Sequence, residues 1–392
     1  MNSLADPDPI SELVASSTRP PAIDRLPTPV LLLDRDKLEK NLRRLAARIN
    51  GFGVGLRPHM KTAKSAEVAR LALEGQPGGI VVQTIAEAEY FVAHGFLDIL
   101  YSVSMIPSKL RRLAELQASG ATVTIICDNL ETAASIQATS DSLGASFQVL
   151  IEIDADGTRS GIHADDPNLV NLARQLHAGS GTRFAGVLCH AGSAYHARSR
   201  FELVQAAESE RRAAVDAATL IRKAGLECPV VSVGSTPSAA TGECFEGVTE
   251  VRAGVYMFQD LSLVELGTCD RSDIALTVLA SVIAHNRRTS TIMIDAGALA
   301  LSKDLGFTER EKPHYGELID AVTEESLGLV VDGMSQEHGI IKAQARDFDR
   351  LPIGTLVRIL PNHACLTAAA HAGFHVIRDR TVIDYWPTVP GW

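Results

Sequence analysis

The chain lacks any uninterrupted apolar run of the roughly 18 residues that a membrane-spanning helix needs. It also lacks a surplus of basic residues: 37 Lys and Arg stand against 47 Asp and Glu, a formal charge of −10. That balance argues against a nucleic-acid binder, which would normally show a basic face, and it suits a soluble acidic enzyme handling small molecules. The N-terminal stretch carries Asp6, Asp8 and Glu12. It has no basic segment followed by an apolar one, so it does not read as a secretory signal. The six cysteines (127, 189, 228, 244, 269 and 365) include no C-x-x-C pair. They read as reduced thiols of a cytoplasmic protein, and the first five are expected to pack as small hydrophobes. Low-complexity tracts and repeats beyond a strand–helix rhythm are absent. With 46% hydrophobic and 21% charged residues over 392 positions, the composition is that of a globular protein.

What is present is a regular alternation. Short β-branched or apolar runs start near residues 55, 79, 98, 122, 147, 184, 229 and 250, and stretches of helical period lie between them. The stretch 201–225 is the longest and ends at Gly225, as a helix C-terminus would. Parallel strands need helix-length returns. Eight such units over about 230 residues fit a (β/α)8 barrel, with an open doubly wound sheet as the alternative. The run PVLLLD (29–34) and the helical pattern after it precede the barrel as a ninth unit. Beyond about residue 270 the runs come with short turns and no long helices, which predicts mostly antiparallel β-structure. The expected domains are an N-terminal arm (1–25), a barrel (26–268) and a β domain (269–392).

Five segments could carry chemistry. Lys61, in RPHMK, falls at the C-terminal end of the first barrel strand, where barrels place active sites. A confined amine there can attack a carbonyl, although a lone strand-end lysine is more often solvated. Lys64 is taken as a lysine of that ordinary kind. The turn Gly234–Ser235–Thr236 follows the seventh strand, where barrels frequently bind phosphate. An amine and a phosphate cup in one barrel mouth are what pyridoxal phosphate requires. Arg159 lies in the loop after the fifth strand and could hydrogen-bond a cofactor ring or a substrate carboxylate. The segment CHAGSAYH concentrates His190, Ser193, Tyr195 and His196, and histidine is suited to proton transfer near neutral pH. Finally, His363 and Cys365 stand two apart, which on a strand puts both on one face as half of a metal site.

The segments TPVLLLD, RPHMKTAKS, DADGTRSGI, CHAGSAYH, GSTPS, VRAGVYMFQD and PNHAC occur in this order. Together they resemble the D-threonine aldolase/D-serine dehydratase-like group of fold-type III pyridoxal-phosphate enzymes, relatives of the alanine racemase barrel. The resemblance implies that Lys61 bonds the cofactor aldehyde. It implies that Gly234, Ser235 and Thr236 cradle the phosphate near Tyr256, and that Arg159 and Tyr195 join the cofactor-binding set. It implies that His363 and Cys365 bind a divalent metal, Mn²⁺, Mg²⁺ or Zn²⁺, and that the chain forms a homodimer. It further implies a β-hydroxy-D-amino acid as substrate. On resemblance to D-threonine aldolases, His196 is the base at the β-hydroxyl. That favours an aldolase acting on D-threonine or 3-hydroxy-D-aspartate over a dehydratase of D-serine or 3-hydroxyaspartate.

Overall fold

The structure is a computed structural model in which residues 22–306 and 312–392 are described. Two compact units make up the chain. One comprises Leu42–Tyr256, Leu266–Thr268 and Gly391–Trp392; the other takes in the described residues before Leu42, Met257–Glu265 and Cys269–Pro390. The first strand, β1 (Val30–Asp34), lies in the second of these units.

The first unit is a near-closed parallel barrel. Its strands are β2 (Gly55–Pro58), β3 (Ile80–Val82), β4 (Asp98–Ser104), β5 (Thr122–Cys127), β6 (Phe147–Asp154), β8 (Thr182–Cys189), β9 (Val230–Val233) and β10 (Glu250–Ala253), while the two-residue β7 (Ile162–His163) pairs beside the end of β6. The order is β2-β10-β9-β8-β6-β5-β4-β3. A parallel bridge from His59 to Val81, with Met60 N–H donating to the Val81 carbonyl at 2.8 Å, brings the two ends of that order together. These strands read as apolar runs because a parallel strand is covered on both faces. Val81, Leu100, Ile126, Leu150, Ala185 and Leu188, from five strands, form one buried cluster.

Local chemistry sets the intervening helices. Thr84, Asn129 and Ser199 each cap a helix, accepting from the backbone N–H three residues on. The longest helix, Arg200–Lys223, stops as its pattern predicts, with Gly225 in the left-handed region at φ 85°.

The second unit holds a mostly antiparallel sheet. Its strands are β1, β11 (Leu276–Asn286), β12 (Thr291–Ile294), β13 (Glu317–Asp320), β14 (Ser326–Val330), β15 (Gly333–Met334), β16 (Gly339–Lys342), β17 (Leu356–Leu360), β18 (Gly373–Arg378) and β19 (Thr381–Pro387). The main path runs β14-β13-β17-β11-β1-β18-β19.

Several expectations need correction. The run at 29–34 is not a ninth barrel unit: β1 pairs antiparallel with β11 and parallel with β18. A strand followed by a helix looks the same locally whichever sheet receives it. Of the five cysteines expected to pack, Cys127, Cys189 and Cys228 are buried, but Cys244 is exposed and Cys269 half-buried. Most of the 1–25 arm lies outside the described residues. Its described end docks on the second sheet through the Ala22–Thr381 bridge and the buried Ile23. Among the described residues no helix is long and apolar enough to cross a membrane.

Candidate active site

The loops at the C-terminal ends of the barrel strands interlock. Lys61 is half-buried just past β2, and its N–H approaches Nδ1 of the buried His59 at 3.4 Å. After β8, the His190 ring contacts the Gly234 carbonyl through Nδ1 at 3.0 Å, tying that loop to the turn after β9. Thr236 Oγ1 then accepts from the Tyr256 N–H at 3.2 Å, tying the turn to the segment after β10. Gly234 must be glycine here: its φ is 129°, and a Cβ would lie 2.3 Å from the Arg252 carbonyl oxygen. Ser235 and Ser238 cap one another across the turn, so its shape is set from within.

The electrostatics of this mouth are cationic. Burial holds His59 well below the usual histidine range, and the charges of Lys61, Arg252, His190 and Arg159 push it the same way. His190 is lowered to about 4, again chiefly by burial, with Arg159, Arg252 and Lys61 adding to it against the Gly234 hydrogen bond. Both imidazoles are therefore neutral at pH 7 and serve as hydrogen-bonding groups. Arg252, 4% exposed, donates to Ser232 Oγ at 2.6 Å and to the Cys189 carbonyl at 2.7 Å. Arg159 is exposed on its loop, yet its charge reaches both histidines. Tyr195 is half-buried, its ring 6.4 Å from that of His190. His196 closes the short helical turn Gly192–His196 as an exposed residue whose side chain makes no hydrogen bond among the described residues. Lys64 is not a solvated lysine: it pairs at 2.9 Å with Glu87, whose side chain is 1% exposed.

Tyr256 stands out as a candidate anion ligand. It is buried, and its hydroxyl finds no partner among the described residues. Burial alone pushes the phenol well above its usual range. An orphaned buried hydroxyl calls for a partner from outside the chain. Its own backbone N–H already touches the 235–236 turn, so a phosphate there is a partner of the right chemistry.

A second cluster lies in the other unit. The pair His363 and Cys365 is not on a strand: β17 ends before Pro361, His363 is the N-cap of the helix Ala364–Ala369, and Cys365 lies in its first turn. The two still meet, because the N-cap backbone is extended (φ −140°, ψ 98°) and the Cys365 side chain hydrogen-bonds the imidazole. Burial opposes charge on His363. Hydrogen bonds with Asp304 and Cys365 and the charges of Cys365 and Asp260 outweigh it and hold the imidazole at about 11. Imidazole and thiol side by side are a donor set suited to a divalent transition metal. Among the described residues no group of three His, Cys, Asp or Glu side chains forms a complete ligand set.

The model of the alanine racemase N-terminal domain matches residues 33–262, more than half of the chain, and that of a putative serine dehydratase domain matches residues 275–377. The chain belongs to the alanine racemase-like family of fold-type III pyridoxal-phosphate enzymes. It is 44% identical over 375 residues to a D-threo-3-hydroxyaspartate dehydratase from Delftia sp. (strain HT23), covering 94% of this chain and 98% of that protein. The structure of the Delftia sp. HT23 enzyme superposes with a TM-score of 0.91 at 42% identity, covering 95% of this chain and all of the other. That dehydratase has also been solved as a His-to-Ala mutant and as a Cys-to-Ala mutant two positions further on, the latter in a metal-free form. A D-threonine aldolase from Arthrobacter sp. is 32% identical over 369 residues, covering 92% of each chain. Members of this family are pyridoxal-phosphate enzymes, and this chain is a lyase of that kind. The orphaned Tyr256 hydroxyl, the Gly234 turn and the half-buried Lys61 amine fit the cofactor.

Reading the sequence alone missed His59, Arg252, Glu210 and Asp304. His59 and Arg252 had signals, a histidine two before Lys61 and an arginine inside an apolar strand. Glu210 falls on the buried stripe of its helix, with Leu203, Ala207, Ala214 and Ala217, and accepts from the Ala191 N–H at 2.8 Å. Asp304 is 59 residues from His363 in sequence, and no pattern links them.

Proposed function

We propose that the protein is a pyridoxal-phosphate- and divalent-metal-dependent dehydratase of a β-hydroxy-D-amino acid, with 3-hydroxy-D-aspartate as its substrate. The observation that carries this reading is the 44% identity, over nearly the full length of both chains, to a D-threo-3-hydroxyaspartate dehydratase. The His–x–Cys pair at 363 and 365 supports it, since the mutated histidine and cysteine of that enzyme have the same spacing.

When bound, pyridoxal phosphate supplies an electron sink for the bond broken at Cα. A metal held by His363 and Cys365 supplies a Lewis acid for a departing hydroxide. The chain's own residues do the rest. Lys61 is the residue that would hold the cofactor through its amine, and the same amine, when free, would take the Cα proton. Ser235, Thr236 and Tyr256 hold the phosphate, with Gly234 shaping the turn. His59, buried, and His190, half-buried, are both neutral and orient neighbours without competing for the proton. The charges of Arg159 and Arg252, both felt at His59 and His190, make the mouth favourable for a dicarboxylate. Loss of the Cα proton and the Cβ hydroxide leaves an enamine, which tautomerises and hydrolyses to a 2-oxo acid and ammonia. We also expect a cytoplasmic homodimer.

A second reading is the aldolase, favoured by the 32% identical D-threonine aldolase. It needs a base at the β-hydroxyl, the role expected of His196, and gives glycine and an aldehyde. Incubation with 3-hydroxy-D-aspartate, D-serine and D-threonine separates the two. The dehydratase releases ammonia and a 2-oxo acid, fastest from 3-hydroxy-D-aspartate; glycine from any of the three would replace this reading by the aldolase.

A further inference from the structure

Building on the reading of His363 and Cys365 as metal ligands, we infer that Asp304 is a positioning residue that decides which nitrogen of His363 meets the metal. The His363 Nδ1 lies 2.7 Å from Asp304 Oδ2. An imidazole bonded through Nδ1 can meet a metal only through Nε2. A carboxylate in that position fixes the tautomer, holds the ring's orientation and makes the other nitrogen a better donor.

Asp304 is itself held in place. Its Oδ1 accepts from the Gly306 N–H at 2.8 Å, its own N–H donates to Ser302 Oγ at 3.3 Å, and its carbonyl accepts from Asn362 Nδ2 at 3.0 Å. Asn362, 2% exposed, is the residue just before His363, and its amide also donates to the His314 carbonyl at 2.6 Å. One side chain therefore ties the Asp304 loop to the ligand segment, so the carboxylate and the ring keep their register. Asp260 is a second carboxylate near His363 among the described residues, but it does different work. Its two oxygens accept from the Leu263 and Ala364 N–H groups, both at 3.0 Å, which spends it on the local backbone. Among the described residues Asp304 is the one whose carboxylate oxygen is hydrogen-bonded to the ring.

The test uses the full-length protein with its cofactor, stripped of metal and titrated with Zn²⁺ and Co²⁺ against a competing chelator, with no substrate present. Asp304→Ala should weaken binding of both ions by roughly 10- to 100-fold, the range for losing such a partner. Asp304→Asn keeps the shape and an acceptor oxygen but not the charge. It should bind more weakly than the parent, and it carries the test if the alanine variant does not fold. At saturating Co²⁺ the thiolate-to-metal absorption and the d–d bands should match those of the parent, because His363 and Cys365 remain the ligands. Parental affinity in the folded variant overturns the assignment. Altered d–d bands at saturation also overturn it, by making Asp304 a ligand. A parent that binds neither ion fails the ligand reading, and this assignment with it.

Discussion

Replacing Tyr256 with Phe should strengthen the protein without its cofactor and weaken its hold on it. The tyrosine is 2% exposed and its hydroxyl has no partner among the described residues. A buried hydroxyl left unpaired costs about 1–3 kcal/mol. Phenylalanine keeps the ring and removes that cost. Urea melts of the cofactor-free variant should therefore show a gain of about 1 kcal/mol or more over the parent. With cofactor present the sign reverses. A hydrogen bond to a charged phosphate contributes about 1.5–3 kcal/mol, so the dissociation constant for pyridoxal phosphate should rise on the order of 10- to 150-fold. Equilibrium dialysis and melts with and without cofactor read both effects on one variant. A cofactor affinity equal to the parent's, with the cofactor-free protein destabilised, would refute the reasoning and make Tyr256 a packing residue only.

Four further outcomes are expected. Lys61→Ala should no longer fix the cofactor covalently, so that borohydride treatment followed by peptide mapping finds no cofactor-linked lysine. Exhaustive chelation, or His363→Ala, should abolish turnover while leaving the cofactor bound, as read by activity and cofactor absorbance on one sample. His196→Asn should change the dehydratase rate less than about tenfold, because the exposed histidine has no proton to take on that route; a fall of about 10²–10⁴ would restore it as a general base. His190 sits at about 4 in the fold against an ordinary 6.5, so above pH 6.5 both states are neutral and it has no effect on stability. As pH falls toward 4 the unfolded chain takes the proton first, and about 3 kcal/mol is lost. His190→Gln should remove that share of the acid destabilisation in urea melts at pH 7 and pH 4.

The barrel was legible because its signal is local. Each of the eight parallel strands overlaps one of the runs read from β-branched and apolar residues, with β4 and β8 reaching one or two residues beyond theirs, and Gly225 ends its helix where the pattern stops. The placement of β1 was not legible, since its partners β11 and β18 lie more than 240 residues away and PVLLLD fits either sheet. Lys61, Gly234 and Tyr256 could be picked out from motif and strand position. What joins their loops could not: the His190–Gly234 and Thr236–Tyr256 bonds depend on how strand ends meet around the barrel. The Lys64–Glu87 pair shows the same limit, for nothing in AKSAEV marks that lysine as paired with a buried carboxylate. Asp304 is the clearest case, because a loop carboxylate gains its meaning only from the ring it faces.

The central claim is that this chain removes the Cα proton and eliminates the β-hydroxyl, without breaking the Cα–Cβ bond. Mass spectrometry of the products from Cα-deuterated 3-hydroxy-D-aspartate tests it most directly. The account predicts one ammonia for each 2-oxo acid, loss of the deuterium from Cα, slower turnover than with the protiated substrate where proton removal limits the rate, and no glycine. Glycine that retains the deuterium, released with an aldehyde, would contradict it.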